Sequence, residues 1–209
     1  MAVRAQYESF WADAPQDPEP WAWERRRALL LGEARAGERV LDLGCGAGRF
    51  VAALREAGAD PVGVELAEAA LERARANVPG ADLRAVGSDG SLPLDHASVD
   101  LVWCSEVLEH IADTEHALLE VRRVLRPGGR VLITVPFHGR AKAALIALLR
   151  FDRHFDPTGQ HLRFYTRSSL ARTLDRAGFE DIDVRPWGGP PLLRTGLTAR
   201  ALRRRGSPR

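Results

Sequence analysis

Val40-Leu41-Asp42-Leu43-Gly44-Cys45-Gly46-Ala47-Gly48 is the stretch whose reading decides the fold. An apolar run carrying one acid enters a turn with glycine at every second position, and Arg49–Ala57 behind it keeps helical period. Glycines let the chain turn tightly and let backbone approach a ligand. In an open α/β sheet such a strand–turn–helix lies at the carboxyl end of the strand, where ligands bind. Glu65 closes the next apolar run, 17 residues after Gly48. An acid in that place can accept both hydroxyls of a ribose.

Working outward, short runs rich in Val, Leu and Ile recur at Arg39–Leu43, Pro61–Glu65, Asp82–Val86, Asp100–Cys104, Arg130–Val135 and Phe179–Val184. Most are apolar on both faces, as strands of a covered parallel sheet are. Helical stretches lie between them. In Glu115–Leu125 the apolar positions Leu118, Val121, Val124 and Leu125 are three and four apart, and Pro127-Gly128-Gly129 stops the helix. In Arg167–Ala177, Thr166 caps the start, Leu170 and Leu174 face inward, and Gly178 suits the left-handed end. This alternation predicts an α/β fold of Rossmann-like type, a doubly wound, mostly parallel sheet with helices on both faces. Its closing antiparallel strand is not assigned. Gly188-Gly189-Pro190-Pro191 interrupts, and Leu192–Arg205 reads as readily helical as extended.

The glycine spacing discriminates between ligands. A dinucleotide fingerprint needs G-x-G-x-x-G, whereas here Arg49 stands where the third glycine belongs. Asp42 would repel a pyrophosphate but suits an ammonium or sulfonium. Both features favour S-adenosylmethionine over a nicotinamide cofactor.

The whole set of motifs, in order, resembles the class I S-adenosylmethionine-dependent methyltransferases. Residues 40–50, VLDLGCGAGRF, resemble the first motif, Val62–Leu66 the ribose-binding strand end, and Gly87–Leu94 the segment that reads the adenine amine. Ser98–His110 and Leu125–Ile133 resemble the fourth and fifth strands with their flanks. Gln160–Phe179 is similar to the ubiquinone/menaquinone-biosynthesis-like (methyltransferase type 11) branch. The resemblance implies a cofactor set of Asp42, Gly44, Cys45, Gly46, Gly48, Glu65, Leu66, Ser88, Asp89, Gly90 and Ser105. Within it, Asp42 lies toward the methionine ammonium, Glu65 on the ribose, Asp89 on the adenine amine and Ser105 beside the methyl.

Methyl transfer from a sulfonium needs positioning above all. A base is required only when the acceptor arrives protonated, as a phenol does. His110, just past the fourth strand, is the catalytic candidate, although capping or packing its helix accounts for it equally well. Glu106, Glu109 and His110 form an E-x-x-E-H set. A structural role is favoured over a divalent metal, so no metal is expected. His138, His161 and Tyr165 are candidates for the acceptor pocket. Cys45 and Cys104 fit small buried packing and lack metal-ligand spacing.

At 209 residues and 23.0 kDa the chain reads as a single methyltransferase domain: an N-terminal helical lid (1–36), a cofactor core (37–136), a variable acceptor-site insert (137–165) and a C-terminal helix, strand and Arg-rich tail (166–209). Thirty basic and 28 acidic residues nearly balance, so no whole-molecule field calls for nucleic acid. The first 15 residues carry no signal-peptide core, and no apolar run approaches the ~20 residues of a membrane span. A cytoplasmic location is the expectation. The segments Lys142–Phe151 and Leu192–Arg205 combine leucines with cations. Packing over the pocket and the sheet edge is favoured for them over transient contact with an anionic membrane surface. Either arrangement suits a small apolar acceptor such as a quinone precursor, a phenol or a lipid-linked intermediate. The alternatives are a nucleic-acid methyltransferase, for which the arginine tail is the one encouragement, and a non-catalytic S-adenosylmethionine-binding protein.

Overall fold

The computed structural model describes residues 2–149 and 162–205. Two helices come first, α1 (Ala2–Asp13) and α2 (Trp23–Glu33), parted by the proline cluster at Pro15, Pro18 and Pro20. The core then alternates β1 (Arg39–Leu43), α3 (Arg49–Glu56), β2 (Asp60–Glu65), α4 (Glu68–Asn77), β3 (Asp82–Ala85), β4 (Val99–Ser105), α5 (Thr114–Val124) and β5 (Leu125–Pro136). After these come α6 (Arg140–Leu149), α7 (Arg167–Arg176), β6 (Phe179–Trp187) and β7 (Gly196–Arg203).

The sheet has seven strands in the order β3-β2-β1-β4-β5-β7-β6. The first five are parallel, while β7 runs antiparallel to both neighbours. Strand order reverses between β1 and β4, so both point their carboxyl ends at one crevice.

Side-chain alternation sorts the two faces. Leu41, Leu43, Val102 and Cys104 pack toward α5 and α7, where Leu118, Val121, Leu170 and Leu174 complete the largest core cluster. Val40, Leu101, Trp103 and Leu132 face the other way, onto Leu30 of α2 and Phe50 and Leu54 of α3. The Trp103 and Phe50 rings meet edge to face at 5.3 Å. Thr166 forms a full capping box with Ser169 at the start of α7, and Gly178 takes φ +83° just beyond its end. Both expectations for this helix hold.

Three expectations change. Leu192–Arg205 is neither wholly helical nor unassigned: a single turn at Pro191–Leu193 leads into β7, which supplies the closing antiparallel strand. Its period is two, with Leu197, Ala199 and Ala201 buried on one face. Gly196 permits the hairpin, because a Cβ there would stand 2.4 Å from the Trp187 ring. Second, β5 begins at Leu125, which pairs with Val99 before a register shift. The Pro127-Gly128-Gly129 segment therefore lies inside an extended run, and α5 has already ended at Val124. Third, the insert 137–165, which has no helix or strand assigned to it above, contains α6. No helix among the described residues is long and apolar enough to cross a membrane.

Candidate functional site

Alternation also builds the site. Asp42 shares the face of Val40, Ser105 that of Trp103, and Thr134 that of Leu132, so all three point toward α2 at the carboxyl end of the sheet. There they meet Arg26, whose side chain is buried beneath the Phe50 ring. Its Nε donates to Ser105 Oγ at 2.7 Å, Nη2 to the Ser105 carbonyl at 3.1 Å, and Nη1 to the Trp21 carbonyl at 3.0 Å. Because the Thr134 hydroxyl spends its one proton on Glu106 Oε1 at 2.9 Å, Ser105 Oγ is the donor in its 2.6 Å bond to Thr134 Oγ1. This chain holds Glu106 in a left-handed conformation, φ +56°, which a non-glycine residue adopts only where its surroundings fix it.

Asp42 is 1% exposed, and its Oδ2 has no hydrogen-bond partner among the described residues. Burial pushes its carboxyl up to about 7, against the pull of Arg26. Glu109 is equally buried, and burial together with Glu106 lifts it to about 8. Its Oε1 lies 3.7 Å from His110 Nε2. Glu65 differs in being held by backbone: Gly46 N–H donates to Oε2, and the Leu66 and Ala67 N–H groups donate to Oε1. Burial still raises it above the usual carboxylate range.

The glycine turn is a cradle that side chains would fill. Gly44 has φ +76°, and a Cβ on it would sit 2.4 Å from Val107 Cγ2. A Cβ on Gly46 would meet the Trp11 ring at 2.9 Å. Trp11 belongs to α1, which lies across the site. Arg4 of the same helix donates to the Val86 carbonyl, and Glu8 accepts from the Glu68 and Ala69 amides at the start of α4. Tyr7 stands edge-on to His110 with ring centroids 6.1 Å apart. Its phenol is raised to about 12, by burial first and then by Glu65 and Glu109.

Two cavities meet here. One, of about 830 Å³, runs past Glu65, Leu66, Ser88, Asp89, Gly90 and Tyr7. The other, of about 970 Å³, runs past Asp42, Cys45, Gly46, Trp21, Glu109, His138 and Lys142. Gly44, Ser105, Glu106 and His110 line both. The structure therefore gathers most residues of the expected cofactor set around two cavities that share a wall. Gly48 lines neither cavity and instead opens α3, with φ +87°. Asp89 accepts from the Ser91 hydroxyl and from the Ser91 amide, which hold it below the usual carboxylate range. His110 sits in a single turn, Leu108–His110, at the junction of the cavities. His138 lines the larger cavity, its ring edge-on to Phe164. Tyr165 is buried in the main core and lines neither cavity, so the two acceptor candidates part company. His161 lies outside the described residues. No group of three metal-ligating side chains is found among the described residues. Sequence reading missed Arg26, Tyr7 and Thr134. Arg26 stands in Arg25-Arg26-Arg27 with no local signal separating it from its neighbours.

The site accommodates S-adenosylmethionine on its own terms. The unmet buried Asp42 oxygen awaits a donor, the glycine cradle has no room for side chains, and Glu65 ends the neighbouring strand. A doubly wound sheet with this site defines a class I S-adenosylmethionine-dependent methyltransferase. The chain belongs to the methyltransferase domain family, whose model matches residues 14–184. Among curated relatives, a ubiquinone biosynthesis O-methyltransferase of Idiomarina loihiensis is 33% identical over 156 residues, covering 71% of this chain and 64% of its own length. The chain thus spans just under two thirds of that relative. A protein of the same description from Aromatoleum aromaticum is 32% identical over 185 residues, covering 81% and 74%. Among solved structures, the methyltransferase partner of the Trm112 activator from Haloferax volcanii superposes with a TM-score of 0.72 at 21% identity, covering 95% and 97%. Phosphoethanolamine N-methyltransferase 2 of Haemonchus contortus, solved with S-adenosyl-L-methionine, gives 0.69 at 19% identity, covering 93% and 55%. These structures support the fold.

Proposed function

We propose that the protein transfers a methyl group from S-adenosylmethionine to a hydroxyl of a small, largely apolar aromatic acceptor of the quinone-precursor kind. The observation that carries this reading is the pair of cavities meeting at Gly44, Ser105, Glu106 and His110. One has the polar ends suited to adenosine. The other is walled by Phe10, Trp11, Pro18, Pro20 and Trp21. Such walls suit a flat apolar molecule. The names of the curated relatives favour the same acceptor class.

In this reading Glu65 holds the ribose, Asp89 the adenine amine and Asp42 the ammonium of the methionine end. When bound, the cofactor supplies an electrophilic methyl carbon. The chain's own task is to hold the acceptor oxygen in line and keep water out, which α1 does by lying across the site. His110 at the junction takes the acceptor's proton.

The test is radiolabelled methyl transfer to extract fractions divided into lipid, polar metabolites and RNA. Label in a phenolic, lipid-extractable product is expected. Label only in RNA would overturn the acceptor class. Glu65→Ala should weaken S-adenosylhomocysteine binding roughly 5–150-fold, as expected for loss of a buried acceptor. Unchanged affinity would remove the ribose assignment.

A further inference from the structure

Helix α1 carries three aromatic residues that the core does not use. Tyr7, Phe10 and Trp11 are spaced three and four apart, which puts them on one face of the helix. Such a face ordinarily packs into a core, yet none of the three belongs to the apolar clusters that pack the sheet. Polar contacts hold the helix instead. Arg4 donates to the Val86 carbonyl, Glu8 accepts from the Glu68 and Ala69 amides, and Arg73 donates to the Ala12 and Pro15 carbonyls. The helix is pinned by its polar side chains, and its rings are left to the site.

Tyr7 lines the smaller cavity, while Phe10 and Trp11 line both. The six-membered ring of Trp11 lies over Gly46, where a Cβ would come within 2.9 Å of its Cζ2 and Cη2. Phe10 meets Trp11 edge to face, with centroids 5.7 Å apart, and is 49% exposed. Glu106 also stands on the wall that the two cavities share. The methyl carbon has to pass from the cofactor cavity to the acceptor cavity, so the sulfonium belongs at that wall. A sulfonium is positively charged but has no N–H or O–H with which to donate a hydrogen bond. Its charge is read by a nearby carboxylate and by aromatic faces, indole above all. Methyl transfer removes that charge, because the bonding electron pair stays on sulfur.

We propose that Trp11, with Phe10 beside it, forms an aromatic wall that recognises the sulfonium charge and so shifts the balance of affinity toward the methyl donor and away from the demethylated product. The consequence is turnover: the product loses this attraction as it forms, and fresh donor displaces it more readily. The proposal rests on the reading of the smaller cavity as the cofactor's.

The experiment is calorimetric titration of the full chain with S-adenosylmethionine and, separately, with S-adenosylhomocysteine, both without acceptor. Trp11→Leu should weaken S-adenosylmethionine binding roughly 2–30-fold, the span of cation–π attraction from an exposed to a desolvated pair, and leave S-adenosylhomocysteine unchanged. Trp11→Phe keeps an aromatic face and should recover part of the loss. Phe10→Leu, at a half-exposed position, should show a smaller loss confined to the same ligand, and serves should a Trp11 variant fail to fold. A purely structural Trp11 would weaken both ligands alike, and that result would overturn the proposal. So would unchanged S-adenosylmethionine affinity in Trp11→Leu and Phe10→Leu, or a Trp11→Phe variant as weak as Trp11→Leu. A wild type that binds neither ligand would remove the cofactor reading and the aromatic wall together, whereas equal losses in a binding-competent protein remove the wall alone.

Discussion

Arg26 shows how much one side chain can decide. Its guanidinium faces Asp42, Glu106 and Glu109 together, and burial lowers its own hold on the proton. Arg26→Met would leave Asp42 and the Ser105 carbonyl without their cation. Removing one partner of a buried charge group costs about 3–5 kcal/mol when the other stays charged. Asp42 can escape that cost by taking a proton, which it does more readily below its raised value of about 7. Urea denaturation should therefore show a large loss at pH 8 and a clearly smaller one at pH 5. Equal losses at both would mean that Asp42 and Arg26 are not coupled. None of this was legible in the residue order. The glycines, Asp42 and Glu65 announce themselves by position in a strand–turn–helix, whereas an arginine inside an arginine run becomes visible only when the sheet's alternation places Ser105 and Asp42 opposite it.

Among the elements, α1 depends on a borrowed contact. The α4 helix starts after Ala67, which offers no capping side chain, and Glu8 of α1 supplies the carboxylate instead. Two helices are thereby joined by one residue next to Glu65. Those amide bonds hold the Glu8 carboxyl below its usual range. Glu8 is only half-buried, so the contact belongs at the low end of capping energies, about 0.5–1 kcal/mol. Glu8→Ala should raise amide hydrogen exchange in α1 while the sheet stays protected, and should quicken cofactor release severalfold. Unchanged exchange in α1 would show that Trp11 and Arg4 suffice to hold it. The elements were legible where local chemistry and tertiary packing agree, as in α7 with its Thr166 cap and Gly178 end. They were not legible at β7. There the two glycines and two prolines at 188–191 break the pattern, and the hairpin depends on Gly196 making room for the distant Trp187 ring. A contact between partners nine residues apart leaves no periodicity to read. The same holds for the start of β5, where Leu125 pairs with Val99 across a proline and two glycines that locally signal a turn.

For the whole molecule, the carboxylates divide into two populations with opposite pH behaviour. At the site, Asp42 and Glu109 are raised to about 7 and about 8, and Glu65 and Glu106 are raised as well. Glu38 is lowered by Arg130, Asp82 by Arg84 and Glu120 by Arg123, and exposed Asp89 at the edge of the site is lowered too, by Ser91. Where a native carboxyl holds its proton above the unfolded value, the native state binds more protons than the unfolded chain, and stability falls as pH rises toward the native value. The lowered carboxylates contribute in the other direction: their stabilisation is present above the unfolded value, near 4, and is lost as pH drops through the native one. The cofactor-free protein should therefore be most stable at mildly acidic pH and lose stability between pH 5 and 8. Asp42 alone, displaced by about 3 units, sets an upper limit of about 4 kcal/mol for its share. A ligand whose ammonium meets Asp42 stabilises the ionised carboxylate and removes part of that loss. Thermal melts at pH 5, 6, 7 and 8, with and without S-adenosylhomocysteine, should show the ligand-induced rise in Tm growing with pH. The same series in Asp42→Asn should show a smaller rise that stays flat. A wild-type rise that does not change between pH 5 and 8 would place the ligand's ammonium away from Asp42 and would require a different reading of the glycine cradle.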